Sequence, residues 1–206
     1  MSDLIAQILA SRIVPVVVVN DAARAAGLAD ALVAGNLPVA EVTLRTPAAP
    51  EAIATMAKNP DLLVGAGTVL TPAQVDLAVD AGAKFLVSPG FSAETVARAA
   101  ERGVPIVPGT VTPSEVMAAL ATELTLLKFF PAANYGGTAT LKAFASVFGR
   151  ASFIPTGGVS VDNLADWFAA GAYAVGMGNA LTKPGGKEGD LDAVRARGSV
   201  NCGVGI

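Results

Sequence analysis

The 206-residue chain contains no histidine. This absence excludes a Ser-His-Asp triad, a Cys-His pair, a histidine general base and a histidine-ligated metal centre. The single cysteine, Cys202, excludes an intrachain disulfide and a metal site built from several cysteines, and it is typical of a reducing cytoplasm. Any catalysis must therefore come from carboxylates, lysines, hydroxyls or backbone dipoles, and we expect no metal and no other cofactor.

Charged residues are also scarce, at 15% of the chain, and the formal net charge is −3. This balance argues against a nucleic-acid-binding face and against a polybasic membrane patch. The first residues lack the basic region of a secretory signal, and the apolar run at residues 13–19 is too short to span a bilayer. With 52% hydrophobic residues, the composition excludes disorder and predicts strands that are buried on both faces.

Eight short apolar runs, rich in β-branched residues, alternate with Ala-rich segments of helical period. The predicted strands are Ile13–Val19, Val39–Leu44, Leu62–Val69, Phe85–Ser88, Ile106–Pro108, Leu126–Phe130, Phe153–Thr156 and Ala174–Gly178. The predicted helices lie near residues 21–34, 48–58, 72–81, 92–102, 113–121, 138–147 and 161–170. A further helix is predicted before the first strand, at 2–11, and another after the last, at 187–197.

This alternation predicts an α/β fold in which crossover helices connect the strands of a parallel sheet. Eight units in 206 residues, with polar or glycine residues at several strand ends, favour a (β/α)8 TIM barrel with an extra N-terminal helix. A doubly wound open sheet is the competing architecture. We expect residues 1–197 to form a single barrel domain and residues 198–206 to be a loose C-terminal tail.

Short signals mark the ends of several helices. N-caps are predicted at Thr71, Ser92 and Thr112, and two of these are followed by proline at the first helical position. Left-handed C-terminal caps are predicted at Gly35, Gly82, Gly103 and Gly171.

Lys128 stands at the centre of the apolar run Leu126–Phe130, where a charged residue is out of place. Burial disfavours the charged ammonium form, and a neutral amine is a nucleophile that forms a Schiff base with a carbonyl. By strand alternation, Lys128 shares a face with Leu126 and Phe130. The alternatives are a lysine that reaches solvent from a strand end and one held in a structural ion pair. Two apolar residues on each side favour the catalytic interpretation.

The second unusual segment covers residues 39–45, in which Glu41, Thr43 and Arg45 share one face. Both faces of a barrel strand are buried, so this polar face would point into the barrel, towards its mouth. Buried Glu and Arg are unfavourable unless they are paired or functional. We interpret Glu41 as a proton shuttle and Arg45 as a carboxylate clamp, with a structural contact between the two as the alternative.

Glycines follow the seventh predicted strand, at Gly157-Gly158, and lie at the end of the eighth, at Gly176 and Gly178. The loops after strands seven and eight of a barrel often bind phosphate through backbone N–H groups. These clusters indicate a phosphorylated ligand, and tight turns that need positive φ are the alternative. Small residues also end two earlier strands and leave room in the mouth, where Thr68 would supply a hydroxyl to the substrate or serve in a turn or helix cap.

Five motifs occur in order along the chain: Glu41-Val42-Thr43-Leu44-Arg45-Thr46, Gly65-Ala66-Gly67-Thr68-Val69-Leu70, Ser88-Pro89-Gly90, Lys128-Phe129-Phe130-Pro131-Ala132 and Pro155-Thr156-Gly157-Gly158. Together they closely resemble the 2-keto-3-deoxy-6-phosphogluconate (KDPG) and 4-hydroxy-2-oxoglutarate (KHG) aldolases, a family of class I aldolases, over roughly residues 4–183. The resemblance implies a lyase of the Entner–Doudoroff pathway that cleaves KDPG to pyruvate and D-glyceraldehyde 3-phosphate and also acts on KHG. It further implies a cytoplasmic homotrimer.

The resemblance also implies roles for individual residues. Lys128 would form the Schiff base, and Glu41 would be the general acid and base. Arg45 would hold the pyruvate carboxylate with help from Thr68, and Thr156 would contact the hydroxyl groups of the substrate.

Two further side chains, Pro89 and Phe130, would form the pocket wall. The phosphate group would lie against Gly157, Gly158, Gly178 and Asn179. Many members of the family have serine where this chain has Asn179, and their last helix is longer than the pattern that stops here near Arg197.

Two other functions fit parts of the sequence. A non-catalytic barrel that binds a phosphorylated ligand explains the glycine clusters but gives Lys128 and Glu41 no purpose. A phosphosugar isomerase or epimerase would usually need paired carboxylates or a histidine, and we find one glutamate on a strand. The fold alone cannot decide among these functions.

Overall fold

The computed structural model describes residues 6, 8 and 10–178. Its strands are β1 (Ile13–Val17), β2 (Val39–Thr43), β3 (Leu63–Gly67), β4 (Leu86–Val87), β5 (Ile106–Val107), β6 (Gly109–Thr110), β7 (Leu126–Phe129), β8 (Ser152–Pro155) and β9 (Val175–Met177). The α-helices of this part are Ala25–Ala34, Ala49–Met56, Pro72–Asp80, Ala93–Glu101, Pro113–Ala121, Gly137–Val147 and Leu164–Ala169. Short 3-10 turns lie at Ala22–Arg24, Ala133–Tyr135 and Val161–Asn163.

The paired strands are parallel throughout and fall into two sheets. One sheet has six strands in the order β5-β4-β3-β2-β1-β9, and the other has three in the order β6-β7-β8. The isolated parallel bridges Phe153↔Ala172 and Thr156↔Gly176 join the chain around β8 to the chain around β9. The predicted α/β fold with a parallel sheet is therefore confirmed.

Pro108 divides the fifth predicted strand. The single strand expected at Ile106–Pro108 is instead two short strands, β5 and β6, one on each side of this proline. Proline has no N–H group to donate to a neighbouring strand. Its carbonyl still accepts a hydrogen bond from the Lys128 N–H at 2.9 Å, so β7 stays in place beside it.

The predicted N-caps are confirmed. Thr71, Ser92 and Thr112 each accept a hydrogen bond from the backbone N–H three residues further on, at 3.3 Å. The Glu115 carboxylate accepts the Thr112 N–H at 2.9 Å in return, which completes a capping box. Burial raises the pKa of Glu115, but the N–H groups of Val111 and Thr112 outweigh that effect, and the pKa lies below its usual value.

The predicted C-terminal caps hold at three of four positions. Gly35 is the exception, because its φ is −82° and the next residue, Asn36, takes the left-handed conformation with a φ of 59°. Asparagine tolerates that conformation better than most residues with a side chain. The left-handed caps that agree with the prediction are Gly82, Gly103 and Gly171.

Buried apolar side chains form two clusters on opposite faces of the strands. The larger cluster packs between the strands and the helices and includes Leu32, Ile53 and Phe153. The smaller, which we call the inner cluster, consists of Ile8, Val14, Val39, Phe85, Val87, Val107, Leu126, Ile154 and Ala174. Because side chains alternate along a strand, the residues two positions beyond the inner cluster form the next layer on the same face.

Among the helices that the structure describes, none combines the length and apolar character that a membrane crossing requires. The helix predicted at 2–11 lies mostly outside the described residues. The helix predicted at 187–197 and the tail predicted at 198–206 lie wholly outside them.

Candidate active site

The layer above the inner cluster holds polar and small residues. Each stands two positions after an inner-cluster residue on its own strand or strand end: Glu41, Lys128, Thr156 and Gly176. These four residues line one pocket together with apolar residues of the inner cluster. Since all strands are parallel, this layer lies nearer their carboxyl ends than the inner cluster does.

Lys128 and Glu41 form a buried ion pair in this pocket. The Lys128 Nζ donates to Glu41 Oε1 at 3.1 Å and to Oε2 at 3.4 Å. The two side chains are 8% and 4% exposed, so water has little access to either charge. Lys128 therefore does not reach solvent from a strand end, and the partner of Glu41 is Lys128 rather than Arg45.

An aromatic ring and a hydroxyl group adjoin the pair. β7 ends at Phe129, and the ring of Phe130 just beyond it has its centroid 5.2 Å from Lys128 Nζ. Thr156 is 7% exposed and lines the same pocket. Gly176 makes room for it, because a Cβ at that position would overlap the Thr156 hydroxyl.

The position of Arg45 corrects a prediction. We expected Arg45 to continue the buried polar face of its strand, but β2 ends at Thr43 and Arg45 lies in the turn that follows, exposed to solvent. Its N–H donates to the Thr43 carbonyl at 2.8 Å, which closes that turn. The guanidinium forms no ion pair with any described residue, so an anion that enters from solvent can bind it.

Thr68 follows the end of β3 in a left-handed conformation, with a φ of 58°. This conformation is unfavourable for a β-branched residue, by about 1–3 kcal/mol. Its side chain is half-buried and caps no helix, because Thr71 is the cap of the helix Pro72–Asp80. Strained residues cluster at functional sites, and Thr68 directly follows the strand that lies beside Glu41.

Pro89 follows β4, two positions after Val87 of the inner cluster, and is half-buried. Its carbonyl comes so close to β6 that a Cβ at Gly109 would overlap it. Gly109 is the register partner of Lys128. The loop that carries Pro89 is therefore close to the strand beside the lysine.

The loop after β8 carries two consecutive left-handed glycines, Gly157 with a φ of 94° and Gly158 with a φ of 83°. The N–H groups of Ala132 and Ala133 donate to the carbonyls of Thr156 and Gly157 at 2.9 and 3.0 Å, which ties the loop after β7 to this one. The Gly158 N–H has no backbone acceptor among the described residues, whereas Gly157 adjoins the bridge between Thr156 and Gly176. Gly178 is half-buried after β9, and Asn179 lies outside the described residues.

Sequence reasoning did not identify Asn163 as a functional residue. Its side-chain amide donates to the Gly158 carbonyl at 2.9 Å, and its Oδ1 accepts the Ser160 N–H, also at 2.9 Å. One side chain thus holds both ends of the segment Gly158–Ser160. The spacing of Ser160 and Asn163 resembles a capping box, and that was the signal available in the sequence.

Within residues 10–178, no group of three or more Cys, Asp or Glu side chains is arranged to hold a metal ion. The chemistry supported by the described residues is that of an amine beside a carboxylate in an apolar enclosure, with two left-handed glycines in a neighbouring loop. An amine in such a place can form a covalent bond with a carbonyl carbon.

Comparison with known proteins agrees with this chemistry. The family model "KDPG and KHG aldolase" matches residues 4–197. The 2-dehydro-3-deoxy-phosphogluconate aldolase of Dickeya dadantii is 42% identical over 189 residues, which cover 91% of this chain and 89% of that protein.

Two solved structures are similar over nearly the whole chain. The KDPG aldolase of Zymomonas mobilis ZM4 with 3-phosphoglycerate has a TM-score of 0.89 and 39% identity, and the match covers 97% of this chain and 94% of that one. The KDPG aldolase of Legionella pneumophila, with pyruvate captured as a covalent carbinolamine, has a TM-score of 0.83 and 37% identity, covering 95% and 92%. The site holds an amine positioned for carbonyl chemistry, and the similarity to these aldolases covers nearly the whole chain. This chain therefore belongs to the KDPG and KHG aldolase family and is a carbon–carbon lyase.

Proposed function

We propose that the protein cleaves KDPG reversibly to pyruvate and D-glyceraldehyde 3-phosphate through a Schiff base on Lys128, and that it also acts on KHG. The observation that carries this proposal is the enclosed contact of Lys128 Nζ with Glu41 Oε1 at 3.1 Å. An ion pair in this position lets a proton pass from the ammonium to the carboxylate, which leaves a neutral amine without bringing a charge in from solvent.

The first stage joins enzyme and substrate. Nζ attacks the C2 carbonyl carbon of KDPG, and Glu41 moves a proton from nitrogen to the C2 oxygen to give a carbinolamine. Loss of that oxygen as water leaves an iminium bond between Nζ and C2. The iminium is the electron sink of the reaction, so the mechanism needs no metal and no separate cofactor.

The second stage breaks the carbon–carbon bond. Glu41 accepts the proton of the C4 hydroxyl while the C3–C4 electron pair moves towards the iminium, forming an enamine and the aldehyde of D-glyceraldehyde 3-phosphate. The enamine takes a proton at C3, and water adds at C2 to release pyruvate and free Lys128. The water lost during imine formation is thus returned by hydrolysis.

Residues at the mouth would hold the substrate. We assign the pyruvate carboxylate to Arg45 and Thr68, because the Arg45 guanidinium is exposed and has no ion-pair partner in the described residues. The hydroxyls of the substrate go to Thr156, beside the ion pair. Two further residues, Pro89 and Phe130, would form the walls of the pocket.

The phosphate of the substrate would lie against the loops after β8 and β9, at Gly157, Gly158, Gly178 and Asn179. The left-handed conformation of both glycines and the Gly158 N–H, which has no backbone acceptor among the described residues, support this assignment, since backbone N–H groups bind phosphate without a side chain in the way. The Zymomonas relative, crystallised with a three-carbon phosphate, and the Legionella relative, crystallised with covalently bound pyruvate, support the two halves of the proposal.

We also propose a closed barrel, an extra N-terminal helix and a trimeric assembly. Closure of the two sheets into a single (β/α)8 barrel domain over residues 1–197 is supported by the bridges between β8 and β9, and by the family match over 4–197. Ile8, in helical conformation and buried in the inner cluster, supports the extra N-terminal helix. From the family resemblance we further propose a homotrimer, testable by light scattering, that works in the cytoplasm, where charged sugar phosphates are retained.

The test is an assay of KDPG cleavage that couples pyruvate release to an optical signal. We expect turnover by the wild type and none by Lys128→Ala, while Lys58→Ala, which removes an exposed lysine far from the pair, keeps the wild-type rate. Failure of the wild type to release pyruvate, or full activity of Lys128→Ala, would contradict the proposal. A non-catalytic phosphate-binding barrel would give the first of these results.

A further inference from the structure

We propose that Gly67 is a positioning residue for the acid–base step: the absence of a side chain there provides the space in which the Glu41 carboxylate lies beside Lys128. This inference rests on the proposed function for the reaction that Glu41 performs. Its geometry is independent of that function.

A Cβ at Gly67 would overlap the Glu41 side chain at Oε1, at Cγ and at Cδ. In the register of β2 and β3, Glu41 is opposite Gly65, whereas Gly67 is opposite Thr43. The Glu41 side chain therefore extends forward, towards the carboxyl ends of the strands. It reaches from the level of Gly65 to the level of Gly67, two residues further along β3. That forward direction brings the carboxylate to Lys128 Nζ.

The carboxylate cannot withdraw to the level of Gly65. The space beside Gly65 is filled by the ring of Phe85, which a Cβ at Gly65 would also overlap. Glu41 is 3% exposed, and the space beside it is the enclosed pocket that it lines with Lys128. A methyl group at position 67 must therefore push the carboxylate away from Nζ or towards the mouth.

Gly67 does not need to be glycine for its backbone. Its φ lies outside the left-handed region, in contrast to the φ of 58° at the next residue, Thr68. Alanine fits that backbone without strain. The substitution Gly67→Ala consequently tests the space beside Glu41 and little else.

The primary measurements are steady-state kinetics and borohydride trapping of pyruvate. We expect Gly67→Ala to lose about 10²-fold or more in kcat, since general acid–base catalysis contributes ~10²–10⁴-fold. KM for KDPG should change far less, and the trapped adduct should still form on Lys128. The matched control is Gly149→Ala, whose added methyl meets no atom within 4 Å and which should keep the wild-type kcat.

A double variant with Glu41→Asp separates positioning from a general structural effect. Aspartate is shorter by one methylene group, so its carboxylate lies further from a methyl group at position 67. The fold loss of kcat caused by Glu41→Asp should therefore be about tenfold smaller in the Gly67→Ala background than in wild type. Factors that simply multiply, or an unchanged kcat in Gly67→Ala, would overturn the inference.

Folding of the variants gives a second readout. If Gly67→Ala does not fold, the double variant should recover folded protein, and failure to recover it would also overturn the inference. Absence of a pyruvate adduct in the wild type is a different result: it would refute the proposed function, whereas the comparison of folded variants would still test the geometry.

Discussion

Inside the sheets, Lys128 and Glu41 form one ion pair with side chains only 8% and 4% exposed. On the outer surface, Arg98 and Arg102 make four pairs with acids of the helices Pro72–Asp80 and Ala93–Glu101, and those acids are 35% to 71% exposed. A buried pair is often no more stabilising than apolar residues of the same volume, because both charges lose their hydration. The inner pair therefore needs a chemical explanation, whereas the outer network does not.

The outer network holds Asp76, Arg98 and Arg102 in their charged forms. Hydrogen bonds from Arg98 and then Arg102 keep the pKa of Asp76 below its usual value. The pKa of Arg98 is raised mainly by Asp76, and that of Arg102 mainly by Asp80. Groups fixed in this way neither give nor take protons near neutral pH, so the network is unsuited to the chemistry that we assign to the inner pair.

The largest effect is expected from breaking the inner pair on one side only. Lys128→Met should abolish KDPG cleavage and destabilise the fold by about 3–5 kcal/mol, because Glu41 is left buried without a cation. Adding Glu41→Leu should restore most of that stability and no activity. Chemical denaturation and the pyruvate assay measure the two effects separately, and a double variant as unstable as the single one would show that the pair is held for stability.

Glu41→Gln removes the proton shuttle but keeps the shape of the side chain. We expect kcat to fall by about 10²–10⁴-fold, while some pyruvate adduct still forms on Lys128. Glu94→Gln, at an exposed acid of an outer helix, is the matched control and should leave kcat unchanged. An undiminished kcat in Glu41→Gln would contradict the role assigned to Glu41.

A smaller effect is expected at the loop after β8. Asn163→Ala removes two hydrogen bonds to Gly158 and Ser160, worth about 1 kcal/mol each, and should raise KM for KDPG about fivefold or more. KM for KHG, which carries no phosphate, should stay unchanged. An equal rise for both substrates would show that Asn163 supports the site as a whole and not the phosphate loop.

The smallest effect is expected in the outer network. Asp76→Asn should leave kcat unchanged and lower stability slightly at pH 7 and low salt. The folded-state pKa of Asp76 is lowered, so its contribution is present above the ordinary pKa of about 3.9 and is lost as the pH falls through the folded value. The stability gap between wild type and variant should therefore close on acidification, as thermal unfolding at several pH values will show; a gap that widens would contradict the assignment.

Local patterns in the sequence predicted much of this molecule. Lys128 was evident because a charge interrupts an apolar strand, and the N-caps were evident because Thr and Ser precede helical segments. The contact between Lys128 and Glu41 was harder to infer, because the two residues are 87 positions apart in the sequence and no spacing rule connects them. The exposure of Arg45 was missed because β2 ends two residues earlier than its alternating pattern does.

The space beside Gly67 could be inferred only in part. Sequence reasoning recognised small residues at the end of β3 and expected them to leave room in the mouth. Which side chain fills that room depends on the register of β2 against β3 and on the forward direction of Glu41. These are properties of packed strands, and a linear pattern does not contain them.

The most direct test of the Schiff base on Lys128 is to incubate the wild type with pyruvate and borohydride and to locate the adduct by peptide mass spectrometry. We expect one adduct, on Lys128, that is lost in Lys128→Ala and retained in Lys58→Ala. No adduct on Lys128, or an adduct of equal yield in Lys128→Ala, would contradict this mechanism.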